Sequence, residues 1–146
     1  MNTNLNKIGK SALLSLILVF LLAGCAKKIT FLNSSIVPAA EGTVAISQDK
    51  NQNYKIDLTL KRLAEPSRLT PPKKVYVVWI ETNQSGTQNI GQLSTTTKGL
   101  SSMLSSSLST VSPHRPLRVF ITAEDDAEGN YPDMPVVLTT GPINIK

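Results

Sequence analysis

Cysteine and histidine each occur once in the 146 residues. A single cysteine excludes an intrachain disulfide framework and a cysteine-rich zinc site. A single histidine excludes most imidazole-based metal and catalytic sets. Aromatic residues are few, with one tryptophan, three tyrosines and three phenylalanines. There is no Gly-x-Ser-x-Gly sequence, and the eight glycines are scattered rather than gathered into a phosphate-binding loop. His114 lies in Ser112-Pro113-His114-Arg115-Pro116, a loop between prolines, with no activated serine to serve. No apolar run reaches the ~20 residues of a comfortable membrane span. The net charge of +5 is modest, and its lysines and arginines are dispersed without interleaved aromatics. The expectation is a non-enzymatic protein with no cofactor, no small-molecule substrate and no nucleic-acid partner.

The N-terminus has three parts. Residues 1–10 are polar, with Lys7 and Lys10 and no acid. Ser11 to Ala23 is a 13-residue run with 11 apolar residues, six of them leucine. Leu22-Ala23-Gly24-Cys25 follows. A positive head, a short apolar core and small residues before a cut make a bacterial-type secretory signal. Removing residues 1–24 leaves 122 residues with a formal charge of +3, enough for one domain.

Leu22-Ala23-Gly24-Cys25 resembles the lipobox of bacterial lipoproteins. The resemblance implies cleavage between Gly24 and Cys25 and diacylation of the Cys25 sulfur. It also implies acylation of the new amino terminus, with palmitate among the acyl chains. Two or three chains anchor stably, where one binds only marginally. The implied location is the cell membrane or outer membrane of a bacterial envelope, with the domain outside the cytoplasm and facing the periplasm. The membrane, reached through the lipid on Cys25, is then one partner, and an envelope protein is the other to be sought. Lys27-Lys28 beside the anchor suits anionic headgroups.

Residues 25–41 read as anchor and tether, and 42–146 as the folded domain. From Thr43 onward the apolar period is two. Val44 and Ile46 alternate with polar neighbours, as do Tyr54, Ile56, Leu58 and Leu60. The polar stretch 48–53 between them makes this a hairpin. Its opening, Asp49-Lys50-Asn51-Gln52-Asn53, matches the start of a calcium loop. The required glycine and glutamate are replaced by Tyr54 and Leu60, so a turn is expected. Val75 to Ile80 is apolar on both faces, a central strand with Trp79 as a core anchor. Residues 94–112 hold 12 Ser or Thr in 19 and fit strand better than helix. Arg118 to Ala123 and Val136 to Thr140 complete the pattern. Seven or eight short strands without a convincing helix predict an all-β, antiparallel two-sheet β-sandwich of immunoglobulin-like size.

Several landmarks in order resemble the extracytoplasmic C-terminal domain of anti-sigma-K factors. They are Glu41-Gly42-Thr43-Val44, Leu58-Thr59-Leu60, Leu63-Ala64-Glu65-Pro66 and Val75-Tyr76-Val77-Val78-Trp79-Ile80. Ile90-Gly91-Gln92-Leu93, Phe120-Ile121-Thr122-Ala123-Glu124 and Pro135-Val136-Val137-Leu138 follow. The match spans 41–140 and implies a sandwich outside the cytoplasm. Such regulators place a sigma-binding helical domain and a transmembrane helix before it; here a lipobox stands in that place. The expectation is therefore a membrane-anchored binding or interaction module, without sigma-factor inhibition.

One cluster offers an alternative. Glu124, Asp125, Asp126, Glu128 and Asp133 set five carboxylates in ten residues. Such a loop could bind an ion and make the protein a ligand- or ion-binding sensor accessory. A solvated hairpin loop shaped by Gly129-Asn130 and Pro132 is the plainer expectation.

Overall fold

The two-residue alternation is realised as two facing antiparallel sheets. The computed structural model describes residues 26–97, 104–133 and 135–145. Among them, β1 (Lys27–Thr30), β2 (Glu41–Gln48), β3 (Tyr54–Lys61), β6 (Ser94–Thr97) and β7 (Leu104–Ser112) form a five-stranded sheet in the order β1-β2-β3-β7-β6. β4 (Val75–Thr82), β5 (Gly86–Gln92), β8 (Pro116–Glu124) and β9 (Val136–Thr139) form a four-stranded sheet in the order β5-β4-β8-β9. Its sole helical element among the described residues is a 3-10 turn at Pro66–Arg68. The all-β, antiparallel two-sheet sandwich is thus as the alternation predicts, and the described residues divide into nine strands. The ambiguous serine-rich segment is strand from Leu104 to Ser112, while residues 98–103 lie outside the described residues.

Pleating sends alternate side chains inward. Val44 pairs with Leu58 and Ile46 with Ile56 across β2 and β3. They meet Tyr76, Val78 and Ile80 of β4 and Val119 and Ile121 of β8 in one buried cluster. Each such side chain contributes about 1.5–3 kcal/mol on full burial. The Tyr76 hydroxyl donates to the Ala64 carbonyl at 2.9 Å, and burial pushes its pKa up to about 12. Gly42 stands where β3 passes closest. A Cβ there would collide with Leu60 and lie 2.9 Å from the Thr59 carbonyl oxygen.

The span read as a tether belongs to the sandwich from Lys27 onward. β1 pairs with β2 from Lys27–Ile46 to Thr30–Thr43. Phe31 then bridges to Thr140 beside the other sheet. Phe31, Val37 and Ala40 are buried in the core. The Ser34 hydroxyl donates to the Val137 carbonyl at 2.6 Å and accepts from the Val37 amide at 2.9 Å. Polar residues and Pro38 hid this segment in the sequence, because its apolar residues follow no strand or helix period.

Candidate functional site

Three regions carry the residues of interest: the lipid-acceptor segment, the acidic loop and the outer face of the five-stranded sheet. Gly24 and Cys25 lie outside the described residues. The described residues begin at Ala26, and β1 begins at the next residue, Lys27.

The acidic loop leaves β8 at Glu124 and returns to β9. It lies over the outward face of the four-stranded sheet. There Val77, Trp79 and Phe120 form a second buried cluster, with Val75 and Val136 against it. Trp79 is therefore buried, but on the face opposite the main core. Its ring stacks on Phe120 with centroids 6.4 Å apart and planes at 14°. The Arg118 guanidinium sits 5.4 Å from the Phe120 ring centre. A bulge between Val78 and Trp79 places Asn89 opposite Trp79, with Gly91 at φ +124°. The Asn89 side-chain amide donates to the carbonyls of Ala127 and Gly129 at 2.8 and 3.2 Å. That clamp draws the loop across Trp79.

The five carboxylates do not converge on a common centre. Glu124 is buried, at 4% exposure. Its carboxylate accepts from the Thr122 hydroxyl and, at 2.9 Å, from the Asp133 backbone amide. Thr122 in turn accepts from the Trp79 indole N–H at 2.8 Å. Asp125 and Asp133 share the Lys73 ammonium, each at 2.9 Å. The hydrogen bond from Lys73 holds the Asp133 carboxyl below its ordinary value. The two carboxylates, Asp133 foremost, raise the Lys73 ammonium above its own. Asp126 and Glu128 are exposed, and Asp126 Oδ1 accepts from the Glu128 amide at 3.1 Å. Among the described residues, no three His, Cys, Asp or Glu stand so as to hold a metal ion. Lys73 is the residue that sequence reasoning missed. It is 52 residues from Asp125, and its sequence neighbours give no sign of a partner.

Asp49 is likewise spent on its own turn. Its Oδ1 accepts from the amides of Asn51 and Asn53 at 2.8 and 2.9 Å. The Asn53 amide leads in holding its carboxyl below the ordinary range. The calcium-loop opening is a turn.

The outer face of the five-stranded sheet is different. Thr30, Thr43, Thr59, Ser107 and Ser94 stand opposite one another in sequence of strands. They make one row of hydroxyls across all five strands, about 19 Å long at the usual strand spacing. A shallow groove of about 440 Å³ follows its β1–β3 part, lined by Thr30, Thr43 and Thr59 and flanked by Lys28 and Lys61. These two ammonium groups enter no ion pair among the described residues, whereas Glu41 in the same groove pairs with Arg62. The face can offer hydroxyl donors and acceptors and two free cations to a flat, oxygen-rich surface. Comparison with known proteins gives no match to the chain, whether among family models, curated proteins or solved structures.

Proposed function

We propose that the chain is a non-enzymatic lipoprotein of a bacterial envelope, whose sandwich is a binding or interaction module related to anti-sigma-K extracytoplasmic domains. The observation that carries this reading is Leu22-Ala23-Gly24-Cys25 behind a positive head and an apolar core. The lipid on Cys25 holds the domain at the membrane, outside the cytoplasm. The module recognises an envelope partner through the hydroxyl row and its two unpaired lysines, the large polar face that no other segment of the described chain covers.

The test is metabolic labelling with a clickable fatty acid. The wild-type chain takes up label and Cys25→Ser does not; an unlabelled wild type would refute the lipoprotein reading. For the module, crosslinking in intact envelopes captures a partner in wild type. Thr59→Arg, which plants a bulky cation in the middle of the row, loses that crosslink while keeping the label.

A further inference from the structure

On the lipoprotein reading, the acylated residue is Cys25, and β1 begins two residues later at Lys27. Two residues of fully extended chain span at most about 7 Å. A flexible tether of the length expected from the sequence would let the domain swing freely. Here the sandwich starts at the bilayer surface, and the direction of β1 decides which end faces it. Lys27 lies beside Ile46, near the end of β2, and Thr30 lies beside Thr43, near its start. The end nearest the anchor therefore carries the 49–53 turn. The 83–85 turn and the 113–115 loop stand at the same end, because residues of all three line one cleft of about 420 Å³.

That end is basic and amide-rich. Lys27, Lys28, Lys50, Lys55, Arg115 and Arg118 stand there against Asp49, Asp57 and Glu81. Asp49 is held by its own turn amides, Asp57 by Lys55 at 2.9 Å, and Glu81 by Arg118. Six carboxamides line the cleft and no carboxylate does. The side-chain amides of Asn51, Gln52 and Asn83 bond to no other described residue. Arg115 also lines the cleft, and its buried Nε has no hydrogen-bond partner. The far end has the opposite sign. The five carboxylates of the acidic loop, with Glu41 and Glu65, exceed the cations Lys61, Arg62, Arg68, Lys73 and Lys74.

We propose that the anchor end of the sandwich docks on the anionic phospholipid surface that holds Cys25. Its cleft receives headgroup phosphate and glycerol oxygens. The long axis then stands away from the membrane, with the acidic loop outermost. The short link brings the basic end into range, and the charge asymmetry fixes the orientation. A basic side chain near an anionic surface is worth roughly fivefold in partitioning.

The test uses the acylated chain in vesicles, either containing phosphatidylglycerol or made of phosphatidylcholine alone. A photo-crosslinking side chain is placed at Asn51 or Asn83 at the anchor end, and at Asp126 or Glu128 at the far end. Docking gives lipid crosslinks at Asn51 and Asn83 at least fivefold above those at Asp126 and Glu128. The excess shrinks by about fivefold or more in phosphatidylcholine and in Lys50→Glu/Lys55→Glu. Equal yields from the two ends, or yields indifferent to lipid charge, overturn the docking while the acyl mass on Cys25 leaves the lipoprotein reading standing. A chain with no acyl mass on Cys25 overturns both.

Discussion

The outer face of the four-stranded sheet carries Val77, Trp79 and Phe120, and the acidic loop covers them. The outer face of the five-stranded sheet carries a row of threonines and serines flanked by Lys28 and Lys61. One sandwich thus has an apolar outer face that needs a cover and a polar one that needs none. An uncovered apolar patch would invite association, so the long loop has a structural task. Its charges keep its outside wet while Asn89, Glu124 and Lys73 fasten its inside. The carboxylates mark how the loop is held in place. The uncovered polar face lies on the opposite sheet.

The largest effect should come from emptying the covered face. Trp79 is fully buried and stacked on Phe120. Trp79→Ala should cost about 3–5 kcal/mol in urea unfolding. Thr59→Ala on the polar face should stay within about 0.5 kcal/mol of wild type. Equal losses at the two positions would erase the distinction between the faces.

Next in size is the fastening of the loop. The Glu124 carboxylate takes the Thr122 hydroxyl and the Asp133 amide, and Thr122 takes the Trp79 indole. Glu124→Ala strands these buried donors and should cost about 1–3 kcal/mol. Hydrogen exchange should rise at the amides of 125–133 more than in β2 or β3. Uniform loosening of both sheets would mean that Glu124 supports the whole fold and not the cover.

How much of this the sequence carried differs between the same two faces. Alternation at Val44–Ile46 and Tyr54–Leu60 located the hairpin and its inward face, because pleating alone decides it. The unbroken apolar run 75–80 announced a strand buried on both sides. It could not say that the second side is roofed by a loop 45 or more residues away, since no local period encodes such a cover. Lys73 was unreadable for the same reason: its partners are set by where β4 and β8 meet. Phe31, Val37 and Ala40 escaped notice because an irregular segment has no period. The hydroxyl row was visible only as an excess of serine and threonine. Strand register, which single strands do not show, turned it into a line.

A smaller effect belongs to the exposed ion pairs. Asp133 has a folded-state pKa below its unfolded value. Its contribution is therefore present above about pH 4, the unfolded range, and is lost as pH falls through the lower folded value. Lys73 is raised, so its share persists through neutral pH and goes only in strong alkali. Its side chain is 18% exposed, but the Asp125 and Asp133 side chains are 61% and 51% exposed, and solvent screens the pair. Lys73→Met should lower the melting temperature less than Glu124→Ala does, and should flatten the acid limb below pH 4. An unchanged acid limb would assign that limb to other carboxylates.

The smallest expected effect is none, and it decides what the loop is. Calcium requires six to eight oxygens converging at 2.3–2.6 Å. In this loop one carboxylate is buried in hydrogen bonds, two are joined to an ammonium, and the other two are exposed. To assemble a cup, Lys73 would have to be displaced and Glu124 drawn out from beside Thr122, uncovering Trp79. Binding to the folded state raises stability in proportion to the logarithm of free ligand over its dissociation constant. A protein with no such site should melt at the same temperature in chelator and in millimolar calcium. Lys73→Met frees Asp125 and Asp133 without disturbing Glu124, so it is the variant in which a latent calcium site would first show. A calcium-dependent rise in wild type would make the loop an ion sensor and leave its role as a cover secondary. A rise in Lys73→Met alone would show that the lysine holds the place of a cation.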